Sequence, residues 1–251
     1  MAGRSAPGAS LVARTVAVLT AFDEHHRRLR LVDLAQRSGL CPPTALRIAR
    51  ALVEGGLLER RDDGAFVIAR GLWDLGLLAP APTGLRDLAA PYLQDLHAAT
   101  RATVHLAVRD GDRVLYLDRL SGSSSAPVVS RPGARLPLHA TGVGKVLLAH
   151  APSELQQEAL QDLSPVTRYT VTSARLMRGQ LERVRRDGVA TTVDEMTPGT
   201  SSIAVPVRDG SGEVVAALGL VVTSLRRDRH RLTAALTVAA AGVSRELRRA
   251  R

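Results

Sequence analysis

The chain has 251 residues, 45 % of them hydrophobic and only 2 % aromatic, with a formal net charge of +10. That length suits one or two domains with a proper core. The scarcity of rings disfavours a single-strand binder, which needs stacking platforms, and a single cysteine excludes a disulfide framework within one chain and suits a reducing cytoplasm.

The positive charge is almost all arginine, Lys145 being the sole lysine, so a polyanion partner and an arginine-rich composition account for it equally well. No run approaches the roughly 20 apolar residues of a membrane helix. Residues 1–9 lack the apolar core of a signal peptide and read as a short disordered tail.

In chain order, Leu11, Val12, Val16, Leu19 and Phe22 have helical spacing behind a cap at Ser10, predicting a helix over 11–22. A basic loop is expected over 25–30 and a second helix over 32–38, stopped by Gly39, which accepts a left-handed backbone. A third helix starts at Pro42 or Pro43, where the missing N–H costs nothing, and ends near Glu54. Two short extended runs, 57–61 and 65–68, flank Asp62-Asp63-Gly64 and predict a hairpin.

Residues 71–84 read as a connector, with a short helix over 71–78 broken by Pro80, Pro82 and Gly84. An amphipathic helix follows over 85–100. Val104, Leu106 and Val108 then alternate with Thr103, His105 and Arg109, and a return strand covers 114–117 after a turn at Asp110-Gly111. Helices are expected over 142–150, 153–163 and 174–187, a second hairpin over 203–208 and 214–222, and a last helix over 228–249. Helices mixed with antiparallel hairpins make this an α+β chain rather than a doubly wound parallel sheet.

Residues 31–51 carry the spacing of a helix-turn-helix: a small residue at the helix crossing, Ala35; a turn glycine four positions later, Gly39; and apolar plugs at Leu34, Leu40, Ala45 and Ile48. The second helix of such a motif lies in the major groove. Thr44, Arg47, Arg50 and Glu54 share one face of it. Arginine can bind guanine with two hydrogen bonds, and Thr44 near the helix start suits a phosphate. The hairpin occupies the place of a wing, with Arg60 and Arg61 beside it for phosphate or minor groove, although Asp62 and Asp63 oppose DNA and a solvated hairpin fits these two arginines almost as well. Cys41, before this helix, is read as an inert packed residue in preference to a redox switch.

The sequence resembles the IclR family of bacterial transcription regulators over nearly its whole length. The resemblance rests on Leu31-Val-Asp-Leu-Ala-Gln-Arg-Ser-Gly-Leu40, on Gly133-Ala-Arg-Leu-Pro-Leu-His-Ala-Thr-Gly-Val-Gly-Lys-Val-Leu-Leu-Ala149, and on Arg185-Arg-Asp-Gly-Val-Ala190 with Asp194-Glu195 and Ile203-Ala-Val-Pro-Val-Arg-Asp209. It implies a winged helix-turn-helix domain (10–70), a linker (71–84) with a linker helix, and a GAF-like effector-binding domain with an antiparallel sheet (85–251). It also implies a homodimer or dimer of dimers on a palindromic double-stranded operator, and a small carboxylate or aromatic effector. The chain departs from the family at Pro42-Pro43, at the proline break in the linker, and at Thr192 and Ser202, where members often have an acid and a thiol ten residues apart.

With the resemblance in hand, an effector site is expected at Thr141, Gly142, Val143, Thr192 and Ser202. Free N–H groups at the start of the 142–150 helix can hold a carboxylate, and the two hydroxyls donate or accept. His139 either orients a ligand or packs, and Asp194-Glu195 reads as a solvated turn. Enzyme readings fare poorly. Gly144-Lys145 lacks the earlier glycine and the following Ser or Thr of a phosphate loop, no Gly-x-Ser-x-Gly occurs, and the histidines lack metal spacing. A small-molecule enzyme with an accessory winged helix is the alternative, and no cofactor or metal is expected.

Overall fold

The structure is a computed structural model describing residues 10–23, 26–77, 83–122, 129–226 and 228–250. The 1–9 tail and residues 78–82 of the proline break therefore lie outside the described residues. The chain divides into two compact units between Ala81 and Pro82.

The first unit runs α1 (Leu11–Leu19), β1 (Arg28–Leu29), α2 (Leu31–Ser38), α3 (Pro42–Glu54), β2 (Leu58–Arg60), β3 (Phe66–Ile68) and α4 (Arg70–Leu77). The Ser10 hydroxyl caps α1, accepting from Ala13 N at 3.1 Å. Gly39 closes α2 at φ 68°, and the Leu40 N–H turns back to Ala35 O at 3.0 Å. This sharp turn presses α2 and α3 together around Leu34, Ile48, Ala49 and Leu52, which join Val18, Leu29, Leu58 and Phe66 in one core. Two expectations need correction. Helix α1 stops at Leu19, and the 25–30 loop contains strand β1, which pairs with β3 through Leu29 and Phe66 to give a three-stranded sheet of order β1-β3-β2. A two-residue strand between arginines has no readable alternation, so only the Leu29 side chain, buried in the core, betrays it.

The second unit contains α5 (Thr83–Thr100), β4 (Thr103–Asp110), β5 (Arg113–Leu120), β6 (Arg135–Pro137), α6 (Gly142–Ala149), α7 (Ser153–Gln161), α8 (Ala174–Asp187), β7 (Ala190–Val193), β8 (Ser201–Arg208), β9 (Val214–Val222) and α9 (Arg229–Arg249). Six antiparallel strands form one sheet of order β6-β5-β4-β9-β8-β7. The edge strands β6 and β7 are short and have no counterpart among the sequence expectations.

Helices cover both faces of this sheet. On one face, Leu85, Ala89, Leu93 and Leu96 of α5 and Leu232, Leu236, Ala240 and Val243 of α9 meet Val104 and Leu106 of β4. On the other, Val143, Val146 and Leu147 of α6 and Met177, Leu181 and Val184 of α8 meet Ala107, Ala204 and Ala217. Burying each large aliphatic side chain contributes about 1.5–3 kcal/mol. This layering changes the reading of β4. Of its polar set, Thr103 and His105 do not face water but are buried, on the α6 side of the sheet, while Arg109 near the strand's end is exposed. Helix α8 has the expected bounds because both its ends are marked, by the Ser173 cap and by Gly188 at φ 70°.

Candidate ligand cavity and nucleic-acid interface

Helix α3 presents Arg47, Arg50 and Glu54 to solvent while Ala45, Ile48, Ala49 and Leu52 hold its other side in the core. Neither Arg47 nor Arg50 has an ion pair among the described residues, and both line a shallow groove with Pro43, Leu46, Ala51 and Glu54. Their guanidinium groups are therefore free to meet an external partner. The hairpin arginines are engaged instead. Arg60 lies over the Phe66 ring at 5.8 Å, and Arg61 donates to Glu59 at 2.5 Å. Asp63, at the hairpin tip, pairs with Arg28 and accepts from the Ala65 N–H.

Thr44 is half-buried at the start of α3, its hydroxyl 3.1 Å from the Cys41 sulfur. Cys41 is exposed, which overturns the packed reading; the hydrogen bond with Thr44 holds its thiol below the ordinary value. It occupies the extended cap position ahead of α3, outside the core.

In the second unit one cavity opens between the start of α6 and the sheet, enclosing about 460 Å³ of space outside protein atoms, its mouth included. Thr141, Gly142, Val143, Thr192 and Ser202 all line it. Thr141 is the cap of α6: its Oγ1 accepts from Gly144 N at 3.1 Å. The Gly142 and Val143 N–H groups then have no acceptor within the helix. Gly142 is required here because a Cβ would sit 2.6 Å from Ser202 Oγ. Ser202 and Thr192 are cross-strand partners of β8 and β7, their hydroxyl oxygens 2.6 Å apart. Helix start and hydroxyl pair thus form one continuous polar edge.

The sequence reading missed the opposite wall. His105 of β4 and Tyr116 of β5 line the cavity as an edge-to-face ring pair with centroids 5.0 Å apart. Burial pushes the Tyr116 phenol above its ordinary value, a hydrogen bond with Thr141 acting the other way. Burial, with the Arg119 charge adding to it, pulls His105 down to about 3, so the imidazole is neutral. Ser130 Oγ lies 2.7 Å from His105 Nε2. The two have the appearance of a nucleophile and its base, but an imidazole that weak draws no proton from serine near neutral pH. Among the described residues no Asp, Glu, Lys or Arg lines the cavity. The signal for His105 was available: a polar residue flanked by Val104 and Leu106 in a strand that proves to be covered on both faces.

His139 faces away from this cavity and packs against the 162–164 segment, its Nε2 2.9 Å from Ser164 O. Asp194-Glu195 is not a solvated turn. Glu195 is buried and pairs through both oxygens with Lys145 Nζ, at 2.6 and 2.8 Å. The two lie fifty positions apart, and only the fold makes them neighbours. Among the described residues no group of three His, Cys, Asp or Glu could hold a metal, and no helix is long and apolar enough to cross a membrane.

A family model described as the IclR helix-turn-helix domain matches residues 11–62, and one described as the C-terminal part of the bacterial transcriptional regulator IclR matches residues 81–245. The glycerol operon regulatory protein of Streptomyces coelicolor is 32 % identical over 240 residues, covering 93 % of this chain and 94 % of that protein. The regulator TtgV of Pseudomonas putida is 35 % identical over 200 residues, covering 79 % and 76 %. A crystal structure of an IclR homolog from Microbacterium hydrocarbonoxydans, complexed with 4-hydroxybenzoate, matches with TM-score 0.91 at 33 % identity, covering 96 % of this chain and all of that one.

Proposed function

The chain belongs to the IclR family of bacterial transcription regulators, with a DNA-binding helix-turn-helix domain and a ligand-binding C-terminal domain, and on that premise we propose how this member divides the work. Residues 10–70 bind a palindromic duplex operator, 71–84 link, and 85–251 bind the effector. The protein works in the cytoplasm as a homodimer or dimer of dimers, matching a two-fold operator. Arg47 and Arg50, exposed on one face of α3 and unpaired, read base edges in the major groove. Thr44 at the helix start, with Arg60 and Arg61 by the wing, contacts phosphates. The exposed Leu11, Val12 and Val16 of α1 and Trp73 and Leu75 of α4 give a second copy apolar surface to cover.

The observation that carries the effector reading is a single cavity lined by Thr141, Gly142, Val143, Thr192 and Ser202 and, among the described residues, by no charged side chain. Its lining of a ring pair, aliphatic side chains and one polar edge suits a single-ring compound with a polar end. One anionic or phenolic oxygen would accept from the Gly142 and Val143 N–H groups and from the hydroxyl pair. With no countercharge in the lining, a second negative charge on the ligand would be buried unpaired. Binding shifts operator affinity to the extent that it favours one state of the protein over the other, typically about 1–3 kcal/mol. Regulation is favoured over catalysis because the cavity offers no base of useful strength.

The test is a thermal-shift screen of aromatic and short aliphatic monocarboxylates, starting with 4-hydroxybenzoate, which the solved homolog holds. Operator titration with each hit follows. In the Thr192→Val/Ser202→Ala double variant, hits should bind about thirtyfold more weakly, since two hydrogen bonds of roughly 1 kcal/mol each are lost. Undiminished binding would place the effector elsewhere.

A further inference from the structure

Lys145 and Glu195 sit just outside the cavity lining, on the two elements that wall it. Lys145 lies on α6, whose first turn forms the polar edge. Glu195 lies in the connection from β7 to β8, and the residues that follow it, Met196, Thr197 and Thr200, line the cavity.

The ammonium is fully used: it donates to Glu195 Oε1 at 2.6 Å, to Oε2 at 2.8 Å and to Gln180 Oε1 of α8 at 2.7 Å. Around this contact the connection is held at its backbone. Thr167 Oγ1 donates to Asp194 O at 2.7 Å and Thr170 Oγ1 to Glu195 O at 2.8 Å. Asp194 itself stands at φ 58°, in the left-handed region that Asp enters more readily than most side chains, and its carboxylate accepts from Gly199 N at 2.6 Å. The Asp194 N–H donates to Thr200 O at 2.8 Å, and Thr200 closes a turn on Thr197 O, so the cavity-lining residues ride on a loop tied at both its ends.

A buried ion pair is weak support for stability, because well-packed apolar residues of similar volume often serve as well or better. What it supplies that an apolar pair lacks is direction: two carboxylate oxygens and three ammonium hydrogens fix one geometry. We infer that the Lys145–Glu195 pair is a positioning device that fixes the 194–200 connection against α6, so that one wall of the cavity stands formed before a ligand arrives. This preorganisation spares the ligand the cost of ordering that wall. The positioning claim concerns the loop itself; its effect on affinity rests on the effector reading above.

The experiment compares the wild-type chain with Lys145→Met/Glu195→Leu, which replaces the pair by apolar groups and leaves no lone buried charge. Hydrogen exchange is followed without ligand. The expected result is exchange at least about tenfold faster for the amides of Met196, Thr197, Gly199 and Thr200, with α6 and α8 as protected as in the wild type and melting temperature within a few degrees of it. Wild-type protection over 196–200 in a variant of wild-type stability would overturn the inference, reducing the pair to core filling. Should the double variant not fold, Glu195→Gln keeps the shape and one hydrogen bond and carries the same exchange test. Titration with 4-hydroxybenzoate, or the strongest hit of the screen, should show binding about tenfold weaker in the double variant. If the wild type takes no compound of the screen, the effector reading fails, and the exchange data still decide whether the pair positions the loop.

Discussion

Helices α3 and α6 each follow an extended cap residue, Cys41 and Thr141, but direct their chemistry oppositely. Helix α3 buries one side and leaves Arg47 and Arg50 in solvent, so what it offers a partner is long, charged side chains. All eight residues of α6 are buried, and what it offers the cavity is backbone N–H groups beside hydroxyls. An exposed charge acts at a distance and is screened by salt; a buried dipole acts only on contact and is screened little. The first arrangement suits a polyanion met in solution, the second a small molecule that must shed its water.

Salt gives the largest test of this contrast. Operator affinity should fall about 10³-fold or more between 50 and 200 mM salt, as counterion release demands of a protein with many phosphate contacts. Effector affinity over the same range should change less than about twofold. An operator affinity indifferent to salt would break the assignment of α3, and a strongly salt-dependent effector would require a charge the cavity lacks.

A second test uses acid. His105 is neutral and buried, with its folded value near 3 against an ordinary 6.5. Between those values the unfolded chain binds a proton that the folded chain refuses, so stability is full above about pH 6.5 and falls as the pH drops. The slope is about 1.4 kcal/mol per pH unit, or roughly 2 kcal/mol lost by pH 5. In His105→Gln this contribution to the slope should vanish from chemical-denaturation curves taken between pH 4 and 7. An unchanged slope would mean the imidazole is not held neutral. The first unit, whose site is exposed, should lack this acid sensitivity.

The most local effect is at α3. Arg47→Ala should cost about 1–3 kcal/mol on the true operator and much less on random duplex. Equal losses on both, measured by competition binding, would make Arg47 a phosphate contact only.

How much of this was legible follows from the same contrast. The α3 face could be read because an amphipathic helix writes its orientation in the sequence, and Gly39, at φ 68°, marks the turn before it. Helix α6 was placed by its glycines, and Thr141, Thr192 and Ser202 by resemblance; spacing alone does not bring residues of β7, β8 and α6 to one cavity. What stayed hidden needed long-range pairing. His105 and Thr103 read only as alternating strand residues until α6 and α8 covered that side. Glu195 looked like a turn acid until Lys145 met it. Strand β1 exists only because β3 is beside it.

Lys145 has one more consequence. It is the only lysine of the chain, and its side chain is 1 % exposed. Apart from the histidines, the cationic side chains at the surface are therefore all guanidinium groups, inert to reagents and enzymes that acylate side-chain amines. Any acylation at Lys145 requires the α6–α8 layer to part and the Glu195 contact to break first. The rate at which an amine-directed label attaches there is thus a built-in clock for the opening of the second unit, readable from one peptide and requiring no engineered probe.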